Sequence, residues 1–316
     1  MTKVAINGAG RIGRAFLRLA LSENDLEVVA MNDLSDIDNI AYLLKYDTAY
    51  GRSAYIPVVG ADKKSISIYG KEIKYFNQKD PKELPWGELG IDVVVESTGV
   101  FTSYQKAKVH IEAGAKRVVI TAPVKEAPTD DTEATILMGI NEEKFKTCQI
   151  SSNASCTTNA GAPLIQILNE TLGVEKAVLN TVHGYTASQS IVDGPNKKDW
   201  KEGRAAAQNI VPTSTGSAIA VTQAIPKLEG KFDGIAMRVP VVAGSIADVT
   251  FISKKNTTVE EVNEILKKAA KEEKWQGIFA VTKEPLVSSD IVGSLYGSIA
   301  DLNLTRVIGG NLVKVC

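Results

Sequence analysis

Cysteine and histidine are scarce in this chain, net charge is almost nil, and long hydrophobic runs are missing. Three cysteines, Cys148, Cys156 and Cys316, are too few and too odd in number for a disulfide framework, and they fit a reducing compartment. Lys plus Arg number 36 and Asp plus Glu number 37, giving a formal charge of −1. That balance argues against nucleic acid as the main ligand, because such binding needs a basic surface. No apolar stretch approaches the ~18 residues of a membrane-crossing helix. Met1-Thr2-Lys3-Val4 runs straight into a short apolar segment, with no leader core behind it. The expectation is therefore a cytoplasmic protein with no membrane partner. Internal repeats, low-complexity segments and linkers are absent as well. What remains is ordinary globular material: 316 residues, 44% hydrophobic and 23% charged. At roughly 150 residues per domain this predicts two domains.

The first part alternates between two periods. Val4-Ala5-Ile6 is a short apolar run, and 12–21 reads as a helix with Phe16, Leu17, Ala20 and Leu21 on one face. A second run, 27–31, precedes a helical pattern over 37–44. Asp92 to Val95, a helix over 105–113 ended by Gly114, and Arg117 to Ile120 repeat the scheme. Strand–helix–strand units at this pace imply a parallel sheet. Residues 55–76 read as a hairpin insertion with turns at Gly60 and Gly70. Beyond a break near residue 152 the pattern changes. A helix over 157–172 stops at Gly173 and a strand covers 175–182. Residues 184–208 are long, polar and without period, a length that in a compact domain points to function. A short helix spans 218–223. Segments 235–242 and 246–253 read as antiparallel strands, and 259–271 as an amphipathic helix capped by Thr257 or Thr258.

Gly8-Ala9-Gly10-Arg11-Ile12-Gly13 has the form GxGxxG. Alone it is a weak signal, since glycine-rich turns often only close a loop. Here it follows the first strand and opens the first helix. Gly8 permits the tight turn, Gly10 lets backbone approach a pyrophosphate, Gly13 lets helix and strand pack closely, and the helix start offers amide donors. Asp33 follows Gly13 by twenty residues, at the end of the second strand. A carboxylate there accepts from an adenosine ribose and repels a 2′-phosphate, which favours NAD over NADP. The fold class expected is α/β: a Rossmann-type parallel-sheet domain over 1–152, then an α+β domain with a mainly antiparallel sheet over 153–316.

Cys156, in Ser151 to Asn159, lies where a strand hands over to a helix. A thiol there feels the positive end of the helix dipole, which favours the thiolate. From position alone, a buried, inert cysteine is the more common outcome. A nucleophilic cysteine needs a base, and the chain has two histidines. His110 reads as an ordinary helix-face residue. His183 ends an apolar strand and opens the long loop, and is the favoured partner.

SNASCTTN at 152–159, TVHGYT at 181–186, RAAAQNIVPTSTG at 204–216 and Met237-Arg238-Val239-Pro240 resemble phosphorylating glyceraldehyde-3-phosphate dehydrogenases. INGAGRIGR at 6–14, Met31-Asn32-Asp33-Leu34 and Glu96-Ser97-Thr98-Gly99 agree, and the resemblance runs from residue 2 to 316 in the family's order. It implies a second, catalytic domain and NAD-dependent conversion of glyceraldehyde 3-phosphate and inorganic phosphate to 1,3-bisphosphoglycerate through a thioester on Cys156, with His183 as base. By the same resemblance Thr186 and Arg238 hold the substrate phosphate. Ser155, Thr157, Thr215 and Gly216 hold the attacking phosphate, and Arg204 lies in the matching segment. Taken singly, each Thr or Ser reads better as a cap or turn residue. Cofactor contacts carry over to Gly8, Gly10, Arg11, Ile12, Gly13, Asp33, Lys79, Thr98, Gly99 and Thr121. The resemblance calls for no metal and implies a homotetramer in which the loop 184–208 lies against a neighbouring subunit's cofactor.

The sequence also departs from the family pattern. Ala9 replaces an aromatic, Ala160 a second cysteine, Ile219 a common lysine, and Val241-Val242-Ala243 a Thr-Pro stretch. The family pattern continues past Val315 into a tryptophan-rich segment and a C-terminal helix carrying an asparagine for the nicotinamide. The sequence ends at Cys316, so the expectation is normal adenosine binding and poor turnover. Erythrose 4-phosphate oxidation, hydrolytic aldehyde oxidation, and a non-catalytic binding protein on the same fold are the competing readings.

Overall fold

The computed structural model describes residues 1–316. By internal contacts the chain divides into two compact units, Met1–Ile136 with Glu143–Ala154, and Leu137–Glu142 with Ser155–Cys316. No helix is long and apolar enough to cross a membrane.

The alternating pattern of the first unit folds into a nine-stranded sheet. Its order is Glu133–Thr135, Ile150–Ser152, Arg117–Ile120, Val93–Glu96, Thr2–Asn7, Leu26–Asn32, Lys71–Phe76, Ser65–Ile68 and Val58–Val59. The first seven strands are parallel, and the last two are joined on by antiparallel pairing, Ser65–Ile68 running against the rest. Both faces are covered, as a parallel sheet requires. Alternate residues of the central strands feed two cores: Ile6 and Met31 join Leu17 and Ile40, whereas Ala5 and Ala30 join Trp86 and Val118. The segment 55–76 is only partly the insertion expected. Ser65–Ile68 and Lys71–Phe76 do form a hairpin through Gly70. Lys71–Phe76 also pairs in parallel with Leu26–Asn32, so it belongs to the main sheet. The helix expected over 105–113 is two short turns, Tyr104–Ala107 and Val109–Glu112, meeting at Lys108.

Chain order reverses at Thr2–Asn7, the strand whose two neighbours lead away in opposite directions. In open α/β sheets ligands bind at the carboxyl ends of the strands at such a reversal. The register aligns Asn7 with both Asn32 and Glu96, and Glu96 with Ile120. The next residue of each strand therefore falls in one row: Gly8, Asp33, Ser97 and Thr121.

In the second unit a six-stranded sheet runs in the order Val211–Ser214, Phe232–Val239, Val174–Gly184, Ser245–Ser253, Leu312–Val315 and Arg306–Ile308. All pairings are antiparallel except that of Val174–Gly184 with Phe232–Val239. The strands expected at 235–242 and 246–253 are present and run in opposite directions. They are not neighbours, however. Val174–Gly184 lies between them, burying Ala177, Leu179 and Thr181 at its centre. The helix Cys156–Thr171 presents Leu164, Ile165 and Leu168 to the core and ends before Gly173, whose φ of +72° reverses the chain. Leu137–Glu142 joins this unit because Gly139 (φ +75°) sits on the ring of Trp275, where a Cβ would lie 2.8 Å from the indole.

Candidate active site

The row at the strand ends of the first unit is built around two glycines that tolerate no side chain. Gly8 has φ +97°, and a Cβ on it would lie 2.6 Å from the Thr98 nitrogen. A Cβ on Gly13 would lie 2.0 Å from the Gly8 carbonyl oxygen. The helix Arg11–Ala20 starts at exposed Gly10 with no side-chain cap, leaving the amides of its first turn without a side-chain acceptor, the arrangement that suits an anion. Arg11 and Ile12 are exposed on that turn. Asp33 Oδ2 accepts the Ala9 N–H at 2.7 Å and Oδ1 accepts that of Ser35 at 2.8 Å. Thr98 and Gly99 are exposed beside the loop, and Ser97 Oγ donates to the Gly8 carbonyl at 2.7 Å. Thr121 donates through its N–H and its hydroxyl to the Glu96 carbonyl at 3.0 and 3.1 Å. Lys79 is exposed, three residues past Lys71–Phe76. The cradle, the open helix start and an acceptor-only carboxylate are the groups an NAD molecule needs.

In the second unit Cys156 is the first residue of its 16-residue helix, capped by Ser155, whose hydroxyl accepts the Thr158 N–H at 3.1 Å. His183 comes from the long central strand, and its Nε2 lies 3.1 Å from Cys156 Sγ. The thiol is open to solvent on one side. Protein packed around the rest pushes its pKa up. The His183 hydrogen bond and charge, with the Thr157 N–H and hydroxyl, outweigh this and hold the thiol below its ordinary value. His183 is raised in turn, first by its bond to Cys156, against the opposing effect of burial. The two shifts agree in direction, each favouring the charged form of its group. The bland alternative, a buried inert thiol, describes Cys148 instead, which is buried with its pKa raised by desolvation. Cys316 is likewise raised by burial, to about 11.

On its other side His183 Nδ1 lies 2.6 Å from the Gly184 carbonyl, and Arg238 Nη1 approaches the same Nδ1 to 2.7 Å and the carbonyl to 3.2 Å. With His183 charged, Nδ1–H donates to Gly184 and the guanidinium is a like-charged neighbour. The Arg238 Nε is buried without a partner, a donor unused by the protein beside His183.

The pair predicts a pH dependence. A lowered thiol and a raised imidazole leave Cys156 ionised at pH values where a free thiol is protonated. Alkylation by iodoacetamide should therefore stay fast down to the lowered thiol pKa and fall only below it. His183→Asn removes the charge and should move that fall to higher pH, cutting the rate at pH 7 by about tenfold or more, in line with one pKa unit. Unchanged profiles would contradict the pairing.

Ser155 Oγ lies 2.8 Å from Thr158 Oγ1 and 3.0 Å from Ser217 Oγ, and Thr215 Oγ1 lies 2.9 Å from Ser217 Oγ. Ser155, Thr215 and Gly216, which precedes the helix Ser217–Ala224, thus meet around one buried hydroxyl. Sequence reading passed over Ser217, although it follows Thr215-Gly216 directly. Thr157 is buried in the helix, its hydroxyl 3.5 Å from that of Thr181. Thr186 is exposed two residues beyond Gly184, with its hydroxyl 3.1 Å from Ser188 Oγ. Arg204 is engaged elsewhere: its Nε pairs with Asp193 at 3.0 Å, and Asp193 also accepts the Ala205 N–H. That contact ties the middle of the long loop to its later part.

His110 requires a correction. Expected as an ordinary helix-face residue, it is wholly buried.

Residues 155–316 match the family described as glyceraldehyde 3-phosphate dehydrogenase, C-terminal domain, and residues 2–104 match the NAD binding domain of the same family. The glyceraldehyde-3-phosphate dehydrogenase of Clostridium pasteurianum is 47% identical, over 99% of this chain and 92% of the relative. That of Geobacillus stearothermophilus is 48% identical over 99% and 91%. Glyceraldehyde-3-phosphate dehydrogenase 3 of Saccharomyces cerevisiae is 45% identical over 100% and 93%.

Proposed function

This chain belongs to the glyceraldehyde-3-phosphate dehydrogenase family, and we propose that it oxidises D-glyceraldehyde 3-phosphate to 1,3-bisphosphoglycerate with NAD and inorganic phosphate. The observation that carries the reading is the 3.1 Å contact between Cys156 Sγ and His183 Nε2 at the start of a long helix. The thiolate attacks the aldehyde carbon, and the oxygen of the resulting hemithioacetal takes a proton from His183. His183 removes that proton again as the carbon is oxidised to a thioester. NAD, when bound, supplies the hydride acceptor for that oxidation. An oxygen of inorganic phosphate then attacks the thioester carbonyl, the carbon–sulfur bond breaks, and the thiolate is regenerated as acyl phosphate leaves.

Each phosphate is assigned a neutral or singly charged cradle suited to transient binding. Thr186 and Arg238 hold the substrate phosphate, with the buried unpaired Nε of Arg238 as the available donor. Ser155, Thr157, Thr215 and Gly216 hold the attacking one. Arg204 is assigned to loop closure rather than to either phosphate, on the strength of its pairing with Asp193. Gly8, Gly10, Arg11, Ile12, Gly13, Asp33, Lys79, Thr98, Gly99 and Thr121 form the cofactor site. We place the protein in the cytoplasm as a homotetramer.

The test is absorbance at 340 nm with the purified chain, NAD and glyceraldehyde 3-phosphate, with and without phosphate. Phosphate-dependent NADH formation is the expected result. Turnover indifferent to phosphate would replace the reading with the hydrolytic one. A chain that binds NAD without turnover would leave it a binding protein.

A further inference from the structure

One buried polar chain in the first unit takes no part in the reaction proposed above. Glu96, at the end of Val93–Glu96, is 2% exposed, while His110 and Trp86 are both 0% exposed. Glu96 Oε2 accepts from Asn7 Nδ2 at 2.6 Å and lies 2.9 Å from His110 Nε2. Its other oxygen accepts the Thr98 N–H at 2.8 Å and the Thr98 hydroxyl. Behind the imidazole, Trp86 Nε1 lies 3.2 Å from His110 Nδ1.

Elementary donor counting fixes the protons. An indole nitrogen only donates, so His110 Nδ1 is the acceptor and the imidazole proton sits on Nε2, pointing at Glu96. Asn7 is equally constrained. Its Oδ1 accepts from Asn32 Nδ2 at 2.7 Å, and Asn32 is held in turn by the N–H and carbonyl of Gln78 at 2.8 and 3.0 Å. Two carboxylate oxygens offer about four acceptor sites. Four neutral donors occupy them, two of which belong to Thr98. The same Thr98 hydroxyl accepts the Val100 N–H at 3.1 Å, and the Thr98 nitrogen lies against the space at Gly8 that a Cβ would fill.

We infer that Glu96 is a positioning residue for the cofactor: aimed by the Trp86–His110 pair, its carboxylate fixes the Thr98 turn against the glycine loop. The inference rests on the reading of Thr98 and Gly99 as cofactor contacts. A merely space-filling residue here needs no charge. A buried carboxylate is tolerated because each lone pair is met, and it gives the turn one orientation.

The substitution that separates these roles is Glu96→Gln. An amide presents one acceptor and one donor. Lying one way, its NH2 faces the donors Asn7 and His110; lying the other, it faces the Thr98 N–H, and the Thr98 hydroxyl must turn to accept, so one donor is left unmatched on either side. His110 cannot answer by moving its proton, because Trp86 claims Nδ1. Trp86→Phe removes that claim and lets Nε2 accept. Glu96→Gln should therefore weaken NAD binding by roughly tenfold or more, a single buried mismatch. Adding Trp86→Phe should recover part of the loss, an outcome a structural role alone does not produce. The rate of Cys156 alkylation should stay unchanged in both.

The unaltered chain supplies a second readout. With two histidines in the chain, nitrogen-15 spectra contain two imidazoles, and the signal that survives His183→Asn belongs to His110. The Nε2–H tautomer is expected, and the Nδ1–H tautomer would overturn the assignment even where a variant fails to fold. NAD affinity of Glu96→Gln equal to that of the parent would also overturn it. A parent that binds no NAD would instead remove the reading of the cofactor site on which it rests.

Discussion

Cys156→Ser is expected to lower kcat for phosphate-dependent NADH formation by about 10,000-fold or more while leaving NAD affinity unchanged. The hydroxyl is a far weaker acid than the thiol. His183 at 3.1 Å lowers the pKa of the thiol but does not ionise a serine. Any ester formed on oxygen would also be less reactive toward phosphate than a thioester. Ser155 as cap and the core face of the helix are untouched by the change, so the fold and the nucleotide site stay as they are. Single-turnover kinetics at saturating substrate, alongside a direct titration with NAD, make the check. Residual turnover within tenfold of the parent would show that the chemistry does not pass through this sulfur.

The second large effect is Gly13→Ala. In an ordinary helix interior this change stabilises by about 1 kcal/mol through propensity alone. Here the new Cβ would stand 2.0 Å from the backbone oxygen of Gly8 and 2.8 Å from Ser97 Oγ. The serine can rotate, but the carbonyl is backbone of the turn and cannot. Relief requires the helix to lift from the sheet, an overpacking cost of about 1–3 kcal/mol or more that outweighs the propensity gain. The displaced turn is also the one assigned to the pyrophosphate. The expected result is a net loss of about 1–2 kcal/mol in urea unfolding together with NAD binding weakened by roughly tenfold or more, a positional error at a tight turn. A stabilised variant that binds NAD normally would contradict the geometry.

Much of this is legible in the sequence, and the reason differs from element to element. The parallel sheet follows from apolar runs such as Val93 to Val95, too uniform for a half-exposed strand. The GxGxxG turn was legible because three of its positions are dictated by backbone sterics. The nucleophile was not legible from position alone, since Cys148 and Cys156 differ by neighbours that only folding brings: His183 lies 27 residues away from Cys156. Strand adjacency in the second unit was also hidden. The sequence marks strands at 235–242 and 246–253 but says nothing of what lies between them, and Val174–Gly184 fills that place. His110 was misread because one polar residue on a short helix resembles a surface residue. The spacing held a signal all the same, for Tyr104, Ala107 and His110 recur every three residues, and all three are buried. Arg204 was placed by its match to a motif, which carries no information about Asp193 across the loop.

The carboxylate of Asp33 is anchored at both oxygens, by the amides of Ala9 and Ser35. The glycine turn is therefore ordered before any nucleotide arrives, and association need not expend conformational entropy to shape it. The same anchoring bears on re-engineering cofactor preference. Substituting residue 33 to admit a phosphorylated ribose would also remove the acceptor that holds the Ala9 amide, so the turn would loosen as the repulsion is relieved. A successful redesign of preference at this position must supply a replacement acceptor for that amide in the same step.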